Sequence, residues 1–123
     1  MFRLVALTIL IFSFSSNALA ERTGNELLRG CNAIIADIEK KDMSVDEVTI
    51  SIFWTGYIAG YLDSSVLYET LTKTGAYCIP EKGVEGGQAA MIIANFLKNN
   101  PNQLHESARF CIFMALADAF KCK

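Results

Sequence analysis

Tyr77-Cys78-Ile79-Pro80 and Phe120-Lys121-Cys122 bracket the stretch that decides the fold. One cysteine opens it and another closes it. Between them lie two segments with helical apolar spacing, separated by Asn99-Asn100-Pro101. In an oxidising compartment Cys78 and Cys122 can tie the ends of this unit together. Closing a loop of about 45 residues contributes roughly 4 kcal/mol, acting mainly on the unfolded chain. That is a large share of the net stability of a small domain.

The start of the chain points to such a compartment. Arg3 supplies a short positive region, and Leu4 to Phe14 is apolar apart from Thr8 and Ser13. Ser15, Ser16 and Asn17 are polar, and Ala18-Leu19-Ala20 is a small-x-small site before Glu21. This layout predicts a secretory signal peptide over residues 1–20 and a single domain over residues 21–123. The apolar run is shorter than the roughly 20 residues of a spanning helix. No stable membrane insertion is therefore expected after cleavage.

Eleven basic residues face 13 acidic ones, for a net charge of −2. Loss of Arg3 would bring it to −3. The charges are scattered and form no basic block, which argues against nucleic-acid binding. All four cysteines, Cys31, Cys78, Cys111 and Cys122, lie beyond residue 20. In an exported small domain they suggest two bridges, and spacing alone leaves three pairings open.

The chain reads as all-α, a small bundle of four to five helices stapled by disulfides. Thr23 or Asn25 can cap a first helix, in which Leu27, Leu28, Cys31, Ile34, Ile35 and Ile38 make the apolar stripe. Lys40-Lys41-Asp42 ends it. Ser44-x-x-Glu47 is a capping box before a second, long helix that runs to Lys73-Thr74-Gly75. Gly56-x-x-x-Gly60 sits within that helix. Paired glycines cost helix propensity but admit another backbone, so a tight packing groove is expected there. Tyr77 to Gly87 is a polar loop punctuated by Pro80, Gly83, Gly86 and Gly87. A third helix spans Gln88 to Leu97. Pro101 is read as opening a fourth that continues to Phe120.

No catalytic constellation emerges. The one histidine, His105, adjoins Glu106 and reads as a surface residue. No cysteine pair has the C-x-x-C spacing of a zinc site, so no metal or cofactor is expected. The glycines after Lys82 follow no predicted strand and do not form a phosphate loop. Most aromatics suit a core, although Tyr57, Tyr61 and Tyr68 could line an interface. The expectation is a rigid binding domain and not an enzyme. Two classes fit: an inhibitor of another protein, or a chaperone-like or structural component of the cell envelope.

At this point a resemblance adds to the residues. Tyr77-Cys78-Ile79-Pro80, Gly83-Val84, Gly87-Gln88, Phe96-Leu97, Asn100-Pro101 and Leu104-His105 occur in the order and spacing of one family. So do Ala108 and Ala115-Leu116-Ala117-Asp118-Ala119-Phe120-Lys121-Cys122, and, upstream, Leu27-Leu28-x-x-Cys31 and Gly56-Tyr57-x-x-Gly60. The chain resembles the type VI secretion amidase immunity proteins over nearly all of residues 21–123.

The resemblance implies a periplasmic, helical, homodimeric protein. It implies that the chain occludes the Cys–His cleft of an injected NlpC/P60-type peptidoglycan amidase with a protruding loop, in a 2:2 complex. Two exposed polar segments suit that role. One is Lys98, Asn99, Asn100, Asn102 and Gln103 around Pro101, slightly preferred because amides enter a polar cleft without burying charge. The other is Glu81, Lys82 and Glu85, anchored by Cys78. With the family in view, Cys78–Cys122 is the expected disulfide. Many relatives carry a cysteine where this chain has Thr55, and Cys111 is the extra one here. Cys31–Cys111 is therefore the second expected pair.

Overall fold

The computed structural model describes residues 21–123 and contains four α-helices and one short 3-10 turn. The expected signal segment, residues 1–20, lies outside the described residues. Helix α1 spans Gly24–Ile38, α2 Val45–Thr72, α3 Gly86–Asn99 and α4 Ala108–Ala119, with the 3-10 turn at Pro101–Gln103. The only β-type pairing among the described residues is an isolated bridge between Thr23 and Ser107.

The helix starts follow from local chemistry. Thr23 and Ser44 each complete a capping box, with Glu26 and Glu47 reaching back to the cap backbone N–H at 2.8 and 2.7 Å. These reciprocal bonds satisfy donors that have no partner inside the helix. The bond to the Ser44 backbone holds the exposed Glu47 carboxyl below its usual pKa, helped by the Ser44 side chain. Helix α2 stays unbroken despite its β-branched beginning. It stops where Lys73 enters the left-handed region at φ 56°.

One boundary differs from the sequence reading. Pro101 opens only the 3-10 turn, and α4 starts seven residues later, behind the Ser107 cap. His105 therefore sits in the turn before the helix. The peptide groups there pair with the start of the fold instead of continuing a helix. Gly24 N–H donates to Glu106 O at 2.8 Å, Asn25 N–H to Leu104 O at 2.9 Å and Ala108 N–H to Arg22 O at 2.7 Å.

Helix direction follows from close approaches. Gly87, at the start of α3, lies against Ile38 at the end of α1, while Gly24 lies against Gln103, Leu104 and Cys111. Thus α1 runs opposite to α3 and starts beside the start of α4. Leu27, Cys31, Ile58, Ile93, Leu97, Ile112 and Leu116 form the fully buried centre. Burying one such aliphatic side chain contributes about 1.5–3 kcal/mol.

The second helix makes an uneven contribution. Only Ser51, Trp54 and Ile58 of its residues are buried. Trp54 fills the gap opened by Gly30 on α1, where a Cβ would run into the indole ring. By contrast, Gly56 and Gly60 have nothing within 4 Å of where a Cβ would stand. The packing groove expected there has no occupant among the described residues; the close helix crossing uses Gly30 instead.

Candidate interaction surfaces

The Cys78–Cys122 disulfide is present, with the two Cα atoms 5.0 Å apart. Next to it, Cys78 N–H donates to Phe120 O at 2.8 Å, so the loop before α3 is fastened to the end of α4 twice. The second expected pair is not formed: Cys31 and Cys111 are both buried free thiols. The reason is position. The Cys111 sulfur faces Gly24 and donates to Gln103 O at 3.3 Å. Cys31 lies seven residues, about two helical turns, beyond Gly24 on α1, whereas the Cys111 sulfur is engaged at the start of that helix. Burial pushes the Cys31 thiol up to about 12, against a small opposing effect of Lys98. Burial, and then the Glu106 charge, also raise Cys111. Both sulfurs behave as small apolar core groups.

The two candidate polar segments lie at opposite ends of α3. The helix between them has 14 residues, a span of about 20 Å. Glu81 and Lys82 are exposed at the tip of a turn closed by Gly83 N–H donating to Pro80 O at 2.8 Å, with Gly83 at φ 74°. That turn is held by the disulfide on one side and by α3 on the other, where exposed Glu85 is the cap residue. Val84, half-buried, packs its side chain on the core beneath it.

The asparagine segment is more committed to the bundle. Asn100 donates its amide to Phe96 O at 2.8 Å, and Asn99 donates to the Asn95 side chain at 3.3 Å. Gln103 uses its carbonyl for the Cys111 thiol, and its buried Oε1 has no hydrogen-bond partner. Lys98, Asn99 and Asn102 remain exposed.

Two further surfaces stand out, both on α2. Val45, Val48, Ile52, Gly56 and Ala59 recur at helical spacing and all face outward, Val45 being 84% and Ile52 69% exposed. An apolar stripe of this length left uncovered along a helix marks an interaction face. On another side of the same helix, Tyr61 and Tyr68 join Tyr77 and Phe113 around a cleft of about 280 Å³. Of the three tyrosines singled out in the sequence, Tyr61 and Tyr68 line this cleft, while Tyr57 packs against Phe53 and Trp54. Tyr77 and Phe113 come from distant segments and carried no such signal. His105 is exposed and pairs with Glu106 at 3.2 Å. No group of three or more His, Cys, Asp or Glu among the described residues is placed to hold a metal. No helix among them is long and apolar enough to cross a membrane.

A disulfide-tied helical frame that presents a fastened turn and an uncovered apolar stripe is the build of a protein-binding domain. Residues 23–122 match the Rap1a immunity proteins, and the chain belongs to that family. Membership makes it an immunity protein, whose partner is a cognate effector. No curated protein and no solved structure matches the chain.

Proposed function

We propose that this chain is a periplasmic immunity protein that binds a type VI secreted peptidoglycan amidase of the NlpC/P60 cysteine class and covers its active-site cleft. The observation that carries the reading is the family match over residues 23–122, which spans all four helices. Export is supported by the signal-like residues 1–20 and by the Cys78–Cys122 disulfide, since such bonds persist in oxidising compartments.

Of the two candidate segments, the geometry favours Glu81–Glu85 as the covering element. Its tip is exposed, and both its ends are fixed, so little order is lost on binding. The asparagine segment spends Asn100 and Gln103 on the bundle, leaving Lys98, Asn99 and Asn102 exposed to a partner.

We propose further that the protein is a homodimer joined through the α2 stripe, presenting two copies of the covering turn in a 2:2 complex. Gly56 and Gly60 leave room for a second backbone, and Ile52 and Val48 flank them with uncovered apolar surface. In C2 symmetry the same patch meets itself, as a single helix stripe allows.

The test is a pull-down of the residues 21–123 protein with the amidase encoded beside it, followed by a peptidoglycan cleavage assay. The expected result is a stable complex and loss of cleavage at equimolar protein. An amidase that stays fully active under saturating excess of this chain overturns the reading. Broad weak binding to unfolded proteins would instead favour the chaperone-like alternative.

A further inference from the structure

The aromatic cleft at the far end of α2 is separate from the stripe and from both polar segments. Tyr61, Tyr68, Tyr77 and Phe113 line it, and Glu69 stands at its edge. The Glu69 side chain lies over the loop at Gly75, with its carboxyl carbon 3.4 Å from where a Cβ of Gly75 would stand. Its carboxylate is exposed and makes no ion pair among the described residues, as is true of several other surface carboxylates; what sets it apart is its place at the edge of the aromatic cleft. At the base of the cleft the Ser65 and Tyr77 hydroxyls bond to each other at 2.8 Å, and Ser65 donates to Tyr61 O at 3.0 Å. Tyr77 and Phe113 meet edge to face at 5.9 Å, which fixes that wall.

Four aromatic rings and one unpaired carboxylate around a single small hollow are the ingredients of a cation receptor. Ring faces attract an ammonium group by their quadrupole, more so when water is displaced. A slender alkyl stem can lie along the apolar walls while its charged head reaches the carboxylate. The volume, about 280 Å³, lies near the lower limit for small-ligand pockets, so a single side chain fits better than a larger molecule. Here we infer that this cleft is an anchoring pocket for a lysine side chain presented by a partner protein. The acidic balance of the chain, 13 carboxylates against 11 basic groups, favours the same sign of partner. The assignment does not depend on which effector is bound or on which turn covers its active site.

The test uses butylammonium chloride as the probe for a lysine side chain and 1-butanol as its neutral counterpart, with the ring resonances of the residues 21–123 protein followed by NMR. Butylammonium is expected to shift the Tyr61, Tyr68 and Phe113 resonances saturably, and 1-butanol is expected not to. Glu69→Gln, which keeps the shape, should weaken the ammonium titration roughly threefold. An equal response to 1-butanol would show an apolar pocket and overturn the inference, as would the absence of saturable shifts with either probe. An unaltered titration in Glu69→Gln would remove the carboxylate from the site and overturn it equally.

Discussion

The indole of Trp54 on α2 occupies the space that a side chain at Gly30 on α1 would need. The crossing of the first two helices is set by this pair. Trp54 also meets Tyr57 edge to face at 5.1 Å and Phe53 at 5.3 Å, and the Arg22 guanidinium lies 4.4 Å from the centre of the Phe53 ring. Gly30→Ala should cost about 1–3 kcal/mol through overpacking against the ring. Gly60→Ala meets nothing within 4 Å and should raise the stability of the isolated protomer by about 0.5–1 kcal/mol through helix propensity. Urea denaturation of both variants checks the opposite signs.

Replacing both Cys78 and Cys122 by serine should destabilise the fold by about 2–5 kcal/mol. The Cys31→Ser and Cys111→Ser variants, by contrast, should leave the disulfide intact. Peptide mapping without reduction is expected to recover one linked peptide containing Cys78 and Cys122.

The Cys31 thiol sets a pH dependence of known sign. Its folded-state value, about 12, stands above the unfolded value of 9.0. The unfolded chain therefore loses this proton first as pH rises. The stabilisation from keeping the thiol neutral is fully present below pH 9.0 and is lost progressively between 9.0 and about 12. The loss should approach about 1.4 kcal/mol per pH unit within that window. Cys31→Ala should flatten this part of the stability profile, measured by denaturant titration at several alkaline pH values.

Reversing the charges of Glu81 and Lys82 should abolish amidase neutralisation while far-ultraviolet circular dichroism stays helical. Lys98→Glu, the charge reversal available in the asparagine segment, should have the smaller effect. Protection that survives both changes would leave the covering-turn mechanism without support.

Ile52→Lys places a charge in the middle of the exposed stripe. Sedimentation analysis should show the wild-type protein as a dimer and this variant as a monomer with unchanged helical content. Amidase binding per protomer should persist, because the covering turn belongs to another part of the fold.

Much of the architecture was legible because its signals are local. Ser44-x-x-Glu47 and the Lys73-Thr74-Gly75 stop announce both ends of the longest helix, and the structure has both. Cys78 and Cys122 sit at the edges of two periodic segments that must lie side by side, and they bond. What stayed hidden depends on contacts distant in sequence. Pro101 offers a helix start, but residues 104–108 take the main chain near Thr23 as their partner. The role given to Gly56 and Gly60 belongs to Gly30, because only the folded crossing shows where Trp54 lands. Cys111 could not be told from a bridge-forming cysteine until its sulfur was seen to face Gly24 and Gln103. For the covering segment, the sequence showed which residues are polar but not how many were already engaged, as Asn100 is with Phe96.

The Cys78–Cys122 link encloses α3 and α4 in one covalent ring, while α1 and α2 hang outside it. A protease that nicks the main chain anywhere from residue 79 to residue 121 leaves both pieces attached to each other. One that cuts within the outward end of α2 severs the first half of the molecule outright. Resistance to digestion is thus unequally shared, and a first cleavage under non-reducing conditions should separate the two halves when it falls before Cys78, whereas a single cut between Cys78 and Cys122 should not.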